Sequence, residues 1–233
     1  MTDRPIDLVA LDIAGTSVDE GGAVYHALRS AVESHTGVPV PDDHFDRWKG
    51  AGKREAIAAL LGATANDTTE IDAVERDFTA RLLDAYRAVP PTPIPGIVDT
   101  FALLREQGIK VVLQTGYSRT ITGPLIDQVG WRVGREIDAV ITSDSVRASR
   151  PAPYLIFHAM EEAAVTDVAK VLVAGDTPND LRAGANAGVR FIAGVLTGAY
   201  VANTLRREPH THILTSAAAI PEALGLGKPA RRT

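Results

Sequence analysis

The sequence predicts an α/β fold, a doubly wound parallel sheet with a small all-helical cap domain inserted after the first strand. From Gly96 onward, short apolar runs alternate with helical patterns, which is typical of parallel strands joined by helices. Residues 18–92 instead show helical periodicity without a strand pattern. We therefore expect residues 1–17 and 93–233 to form the sheet domain and residues 18–92 to form the helical domain.

The first strand is predicted at Leu8–Leu11, where four apolar residues lead directly into Asp12. A buried parallel strand is apolar on both faces, so the lack of alternation fits this assignment. Asp12 would lie at the carboxyl end of the strand, where open α/β sheets bind ligands. A carboxylate there can act as a nucleophile, a metal ligand or both, or it can simply cap a turn.

Helical periodicity dominates the segment after Thr16. A first helix is expected to end at residues 37–41, and a second at residues 54–61 follows a short link. A third, longer helix precedes the proline-rich linker at residues 88–96. The apolar positions with helical spacing in the first and third helices are Ala23, Ala27, Leu28, Ala31, Val32, Ile71, Val74, Phe78, Leu82 and Tyr86.

Strands and helices alternate in the rest of the chain, which predicts the remainder of the parallel sheet. Further helices are expected at residues 97–107, 119–129, 153–164 and 178–187. Further strands are expected at residues 109–115, 137–141, 170–175 and 189–195, with an edge strand at His212–Leu214.

Polar residues follow two of these later strands. One strand ends at Thr115, and another is followed by Asp176 and Asp180. Arg150 lies shortly before a predicted helix. Together with a carboxylate on the first strand, these residues offer a nucleophile, donors for phosphoryl oxygens and acids that can bind a metal. This inventory suits phosphoryl transfer.

The order of these residues resembles the four motifs of the haloacid dehalogenase (HAD) superfamily, over about residues 6–196. Ala14 stands where the first motif usually has its second acid, and Arg150 stands where lysine is usual. With Asp19 and Gly21, these departures resemble the phosphonatase-like branch, to which phosphonoacetaldehyde hydrolase belongs. The resemblance implies a HAD-like Rossmannoid core, with the helical segment as its cap.

The resemblance also implies roles in phosphoryl transfer. Asp12 is expected to be the nucleophile that forms an aspartyl-phosphate, which water then hydrolyses. Thr115 and Arg150 are expected to be catalytic groups that bind the phosphoryl oxygens, with Gly116 and Tyr117 beside them. The alternatives are that Thr115 is an ordinary strand-end threonine and that Arg150 lies on the surface.

A magnesium site is implied at the same place. Asp12, the carbonyl group of Ala14 and Asp176 are expected to hold Mg²⁺, which prefers few carboxylates plus water and substrate oxygens. Asp180 is expected outside this ligand set, where it would orient Arg150 or a metal-bound water. Alternatively, Asp176 caps the helix that follows, and Asp180 is a solvent-facing residue of its first turn.

Ala14 lacks the acid that protonates the leaving oxygen in related phosphatases. A P–C bond that is cleaved to an enamine needs no acid there. In phosphonatase, a cap lysine forms a Schiff base with the substrate aldehyde, and Lys53 has the corresponding position. However, Ala56, Lys49 and Gly22 replace a histidine, a methionine and a cysteine of phosphonatase. Lys49 could lower the pKa of Lys53, which would favour Schiff-base chemistry. The alternatives are that Lys53 is a surface lysine or binds only the substrate's anion.

Composition narrows the classes of protein. Of the 233 residues, 45% are hydrophobic and 23% are charged, as in an ordinary globular protein. The net charge of −5 leaves no basic footprint for nucleic acid, and the absence of cysteine excludes disulfides and thiolate metal sites. Residues 1–5 lack a signal-peptide pattern, so we expect a cytoplasmic protein. The basic residues 228–233 are expected to form a frayed tail.

The sequence therefore predicts a magnesium-dependent hydrolase of the phosphonatase-like branch that acts on a small phosphonate or phosphate. A small-metabolite phosphomonoesterase of the phosphoglycolate phosphatase type is the alternative. A catalytically silent binding protein with a HAD fold is a third, against which the intact set of Asp12, Thr115, Arg150 and Asp176 argues. We expect a small-molecule substrate, no nucleic-acid or membrane partner, and a monomer or homodimer.

Overall fold

A computed structural model describes residues 5–62 and 68–227, so the expected basic tail lies outside the described residues. Its main feature is a six-stranded parallel sheet. The strands of the protein are β1 (Leu8–Leu11), β2 (Val18–Asp19), β3 (Thr92–Pro93), β4 (Lys110–Gln114), β5 (Ala139–Ile141), β6 (Val171–Gly175), β7 (Phe191–Val195) and β8 (His212–Leu214). The strand order in the large sheet is β5-β4-β1-β6-β7-β8.

Helices cover both faces of this sheet. The α-helices are α1 (Ala23–Thr36), α2 (Asp42–Asp46), α3 (Lys53–Leu60), α4 (Thr68–Ala88), α5 (Ile97–Glu106), α6 (Arg119–Gln128), α7 (Tyr154–Glu162), α8 (Pro178–Ala187), α9 (Ala202–Leu205) and α10 (Ile220–Ala223). Phe101 of α5 and Leu125 of α6 pack into one buried cluster, whereas Ile156 of α7 and Leu181 of α8 pack into a second. The doubly wound α/β fold is confirmed.

The first strand is central, as predicted. β1 lies between β4 and β6, and Leu11 is paired with Leu113 on one side and with Ala174 on the other. Because the three strands are parallel and in register, the residues that follow them emerge at one edge of the sheet. This edge is where the strand order reverses, the usual ligand site of an open α/β sheet.

The segment between β2 and β3 is helical, with one difference from prediction. Val24 and Leu28 of α1 are buried in the same cluster as Phe78 and Leu82 of α4. The prediction that residues 18–92 contain no strand was wrong at both ends, because β2 pairs with β3 in an antiparallel ladder. A two-residue strand leaves no periodicity to detect. The domain boundaries at residues 17 and 93 stay a prediction.

Short elements account for the other differences. Phe45 was placed in a link, but it is the buried residue of the five-residue helix α2. The helices α9 and α10 have four residues each and were not predicted. Among residues 5–62 and 68–227, no helix has the length and apolar character needed to cross a membrane.

Candidate active site

Three strands deliver the predicted polar residues to one edge of the sheet. Asp12 follows β1 and its amide donates to Ala174, Thr115 follows β4, and Asp176 follows β6. Carboxylate oxygens of Asp12, Asp176 and Asp180 all lie within 4.8 Å of one another, and the three residues are buried. Asp12 therefore lies in a buried acidic cluster, which favours a chemical role over the cap of a turn.

Arg150 neutralises part of this acidic cluster. Its Nη2 atom lies 2.7 Å from Oδ1 of Asp12, and its Nη1 atom contacts Oδ1 of Asp180. The side chain of Arg150 is only 2% exposed, so the surface alternative for this residue is wrong. A guanidinium that bridges two buried carboxylates has a fixed orientation, and it can also pair with a phosphoryl group.

The start of α8 fixes Asp180. Thr177 is the N-cap, and its hydroxyl and amide both donate to Oδ2 of Asp180 in a reciprocal capping box. Asp180 is fully buried, so the solvent-facing alternative is wrong. Residue 175 has to be glycine for Asp180 to lie here, because an added Cβ at Gly175 would lie 2.3 Å from Cβ of Asp180. The cap residue is Thr177 rather than Asp176, which leaves Asp176 for another role.

Asp176 is surrounded by donors and by negative charge. The amide of Ala199 donates to its Oδ2 at 2.6 Å, and the hydroxyl of Thr16 lies 3.4 Å from its Oδ1. Burial and the carboxylate of Asp12 raise the pKa of Asp176 above its ordinary value. A buried cluster that offers only oxygen ligands and carries excess negative charge fits a hard divalent cation.

Thr115, Gly116 and Tyr117 form a turn against the insertion. The amide of Tyr117 donates to the hydroxyl oxygen of Thr115 at 3.1 Å, which leaves the hydroxyl proton for another acceptor. The carbonyl of Gly116 accepts a hydrogen bond from the amide of Lys53 at 3.0 Å. An added Cβ at Gly116 would lie 2.4 Å from the carbonyl oxygen of Ala51, so glycine permits this close approach.

Lys53 is buried at the first position of α3. Its Nζ atom donates to the carbonyl of Ala51 at 3.0 Å and lies 5.5 Å from the ring centre of Tyr117. Burial, and secondarily the positive charge of Arg150, lower the pKa of Lys53 to about 8. The suggestion that Lys49 acts as this cation was wrong, because the cation that lowers the pKa of Lys53 is Arg150, while Lys49 pairs with Asp46 at 2.8 Å. The surface alternative for Lys53 is also wrong.

The loop before Lys53 and the helix that it begins are hydrogen-bonded to the residues around the sheet. Nδ2 of Asn179 donates to the carbonyl of Lys49 at 2.8 Å, and Glu55 accepts from the amide of Ser149 at 2.7 Å. Gly50 has φ +80°, and an added Cβ there would lie 2.0 Å from Oγ1 of Thr177. The insertion is therefore closed over the strand ends in this structure.

Gly50→Ala is expected to lift this loop, because the new methyl group would clash with Thr177. A displacement of about 1 Å near reacting groups can cost about 100-fold, so we expect kcat/KM to fall by about 10- to 100-fold. Gly62→Ala is the matched control, since Gly62 also has positive φ but an added Cβ meets nothing. Kinetics of phosphate release and thermal unfolding of both variants test this prediction. Equal loss of kcat/KM in the two variants would contradict it.

Sequence reasoning missed several residues around a cavity of about 230 Å³ beside Asp176. Glu20, Tyr25 and Gly198 line this cavity together with Ala14 and Asp176. Lys53, Thr115 and Arg150 are not among its lining residues. The sequence contained a signal for Gly198, because threonine and glycine follow β7 after one intervening residue, much as they follow β4 directly. The loop residue Glu20 had no such signal.

Comparison with known proteins identifies the family. The model of the haloacid dehalogenase-like hydrolase family matches residues 6–188. The chain belongs to this family. A relative from Parabacteroides distasonis named phosphonoacetaldehyde hydrolase is 33% identical over 210 residues, which cover 84% of this chain and 78% of the relative. Another relative of that name, from Bacillus cereus, is 29% identical over 83% of this chain and 76% of its own length.

Solved structures of the HAD family share the fold. The phosphonoacetaldehyde hydrolase-like protein of Oleispira antarctica superposes with a TM-score of 0.77 at 20% identity, covering 95% of this chain and 92% of that chain. The resemblance to the HAD superfamily that the motifs indicated is confirmed, and the chain is a HAD-family hydrolase. The roles of its individual site residues stay predictions.

Proposed function

We propose that this HAD hydrolase cleaves the P–C bond of a small phosphonyl aldehyde such as phosphonoacetaldehyde, in a magnesium-dependent reaction. The observation that carries the proposal is the buried amine of Lys53, whose pKa is lowered to about 8 beside the acidic cluster. About a tenth of this amine is neutral near pH 7, far more than for an ordinary lysine, and only the neutral form adds to an aldehyde. The names of the relatives support the same substrate class.

In the proposed reaction, the amine of Lys53 condenses with the aldehyde to give a protonated imine and water. Oδ of Asp12 then attacks phosphorus, the P–C bond breaks, and its electron pair moves into the imine to form an enamine. Arg150 and Thr115 stabilise the charge on the phosphoryl oxygens during this transfer. Ala14 needs no acidic replacement at this step, because the leaving group departs as an enamine rather than as an alkoxide.

Water then completes the cycle at two places. It attacks phosphorus of the aspartyl-phosphate, which releases phosphate and restores Asp12. The enamine takes up a proton from solvent at carbon, and water hydrolyses the resulting imine to release acetaldehyde and free Lys53. Mg²⁺ would be held by Asp12, Asp176 and the carbonyl of Ala14. It would neutralise the negative charges of the Asp12 carboxylate and the phosphoryl group as they approach each other.

Residues 18–92 act as a cap in this proposal. The loop with Lys53 packs on Gly116, and its closure excludes water from the imine. The residues that line the cavity beside Asp176 include neither Lys53 nor Asp12, so in this proposal the loop lifts to admit the aldehyde. The cavity beside Asp176 also favours a second candidate, a phosphomonoesterase, because that reaction needs no contact with Lys53.

A substrate screen separates the two candidates. We expect phosphate release from phosphonoacetaldehyde to exceed release from phosphoglycolate and sugar phosphates by at least about 100-fold in kcat/KM. Each release should be coupled to one acetaldehyde, detected with an alcohol dehydrogenase. Faster release from phosphomonoesters, with no aldehyde product, would contradict the proposal and support the phosphomonoesterase.

Removal of the metal is expected to abolish turnover. Without a cation, burial and the charge of Asp12 hold the pKa of Asp176 high. Bound Mg²⁺ would relieve the repulsion between these two carboxylates and thereby stabilise the folded protein. We expect EDTA to stop phosphate release, and excess Mg²⁺ to restore it and to raise the melting temperature of the wild type. Asp176→Asn should lose that rise in melting temperature. Full activity in EDTA would contradict the magnesium assignment.

A further inference from the structure

Glu20 is a carboxyl group that the proposed reaction has not yet used. It follows β2, is half-buried, and lines the cavity together with Ala14 and Asp176. Its Oε2 atom accepts from the amide of Val24 at 2.8 Å and lies 3.5 Å from the hydroxyl of Tyr86. The side chain therefore stands at the border between the cavity and the interior of the insertion.

A row of side chains leads from Glu20 to the aromatic ring beside Lys53. The hydroxyl of Tyr86 lies 3.1 Å from that of Tyr117, and Nζ of Lys53 lies 5.5 Å from the ring centre of Tyr117. Glu20 and Lys53 also interact through their charges, since Lys53 lowers the pKa of Glu20 and Glu20 raises the pKa of Lys53. Burial has the larger influence on Glu20 and raises its pKa.

The other carboxylates whose charges act on Lys53 already have partners or roles. Asp12 is paired with Arg150 and is the proposed nucleophile. Asp176 belongs to the acidic cluster that fits a cation. Imine chemistry at Lys53 nevertheless requires a proton donor, and neither Ala14 nor Ala56 can supply one. Among the carboxylates that act on Lys53, Glu20 is the one without another assigned chemical role.

We propose that Glu20 is a catalytic acid and base for imine formation and hydrolysis at Lys53, an inference that rests on the proposed function. Lys53 adds to the aldehyde carbon, and its proton moves to the carbonyl oxygen to give a carbinolamine. Protonated Glu20 donates its proton to the carbinolamine hydroxyl. The C–O bond breaks, water leaves, and the nitrogen lone pair forms the C=N bond of the protonated imine.

Glu20 is left as a carboxylate and recovers its proton at the end of the cycle. When water adds to the product imine, the water oxygen loses one proton, and Glu20 accepts it. The carbinolamine that forms then collapses to acetaldehyde and free Lys53. Glu20 thus supplies the proton that Ala14 and Ala56 cannot, from a loop position next to the cavity.

A purely structural role for Glu20 has to be separated from this one, because its carboxylate also accepts from the amide of Val24 near the start of α1. Glu20→Gln keeps an acceptor oxygen for that amide but has no proton to exchange. The test mixes enzyme and phosphonoacetaldehyde, stops the mixture in borohydride at successive times, and measures the reduced adduct on Lys53 by mass spectrometry. General acid–base catalysis is worth about 100-fold or more, so adduct formation should slow by about that factor.

Asp19→Asn is the matched control. It removes one negative charge from the same loop and from the lining of the same cavity. Asp19 is exposed, and among the described contacts of its side chain it accepts only from the amide of Gly21. We expect this variant to form the adduct within about threefold of the wild-type rate. Hydrolysis of an activated aryl phosphate at Asp12 should be unchanged in Asp19→Asn, and thermal unfolding should be unchanged in both variants.

The pH profile provides a readout that a structural role would not alter. Glu20 interacts through charge or hydrogen bonds with Lys53, Asp19, Tyr25, Tyr86 and Tyr117, and it lines a second cavity with His26 and Arg81. The tyrosines have raised pKa values and stay neutral below pH 9. In the wild type, adduct formation needs a neutral Lys53 and a protonated Glu20. Above about pH 8 Lys53 is already mostly neutral, and Glu20 continues to lose its proton, so the rate should fall. In Glu20→Gln it should rise to a plateau there.

Each outcome is decisive. A slow Glu20→Gln variant with a plateau above about pH 8, and a normal Asp19→Asn variant, would support the role of Glu20. A wild-type rate of adduct formation in Glu20→Gln, or the same falling profile, would overturn this role and leave the proposed function intact. No adduct in the wild type would contradict the proposed function, and with it the role of Glu20.

Discussion

Asp12→Asn is expected to reduce phosphate release from every phosphonate or phosphate ester by about 10⁴-fold or more, while the protein stays folded. An amide oxygen is a poor nucleophile, so the aspartyl-phosphate cannot form. Stability should change little, because two effects oppose each other. The variant loses the ion pair with Arg150, but it also removes the negative charge that raises the pKa of Asp176.

The matched control for this variant is Asp127→Asn, which removes an exposed carboxylate on α6. We expect its activity to stay within about twofold of the wild type. Phosphate release measured under single-turnover conditions, with melting temperatures for both variants, checks the prediction. Activity near the wild-type level in Asp12→Asn would remove this residue from the mechanism.

Lys53→Arg is expected to abolish P–C cleavage, by about 1,000-fold or more, but to spare the hydrolysis of an activated aryl phosphate. The guanidinium keeps the positive charge and forms no such imine, so only the reaction that needs an electron sink is lost. Lys53→Met, which has a similar length and no charge, should give the same split between the two substrates. If both variants lose only P–C cleavage, a packing defect at this buried position is excluded as the cause of the loss.

Lys49→Arg is the control for these variants, because Lys49 lies in the same loop and pairs with Asp46. Both reactions should remain within about threefold of the wild type in this control. The measurement is phosphate release from phosphonoacetaldehyde and from the aryl phosphate, side by side. Equal loss of both activities in Lys53→Arg would mean that the lysine only supports the fold or binds the anion.

The predictable part of the molecule is the part with local signals. An apolar run followed by a polar residue identifies β1 with Asp12, β4 with Thr115 and β6 with Asp176. Parallel pairing then brings the strand ends to one edge without further information. The central place of β1 in the sheet also follows from this rule, because a shared site requires its neighbours to be β4 and β6.

The residues around Lys53 were less predictable because they come from distant parts of the chain. Glu20 lies in a loop, Tyr86 near the end of α4, and Tyr117 after β4. No periodicity relates such positions, and only the closed packing of the insertion brings them together. The same limit explains why the sequence suggested the neighbour Lys49 as the cation that acts on Lys53, whereas that cation is Arg150.

The identity of the group trapped on Lys53 tests the proposed imine mechanism most directly. Wild type and Asp12→Asn are each mixed with phosphonoacetaldehyde, reduced with borohydride, and digested for mass spectrometry of the Lys53 peptide. We expect an ethyl group on Lys53 in the wild type, because P–C cleavage precedes trapping. In Asp12→Asn we expect a phosphonoethyl group, because the imine forms but phosphorus is not attacked. Phosphate release by the wild type with no adduct on Lys53 in either protein would contradict the mechanism.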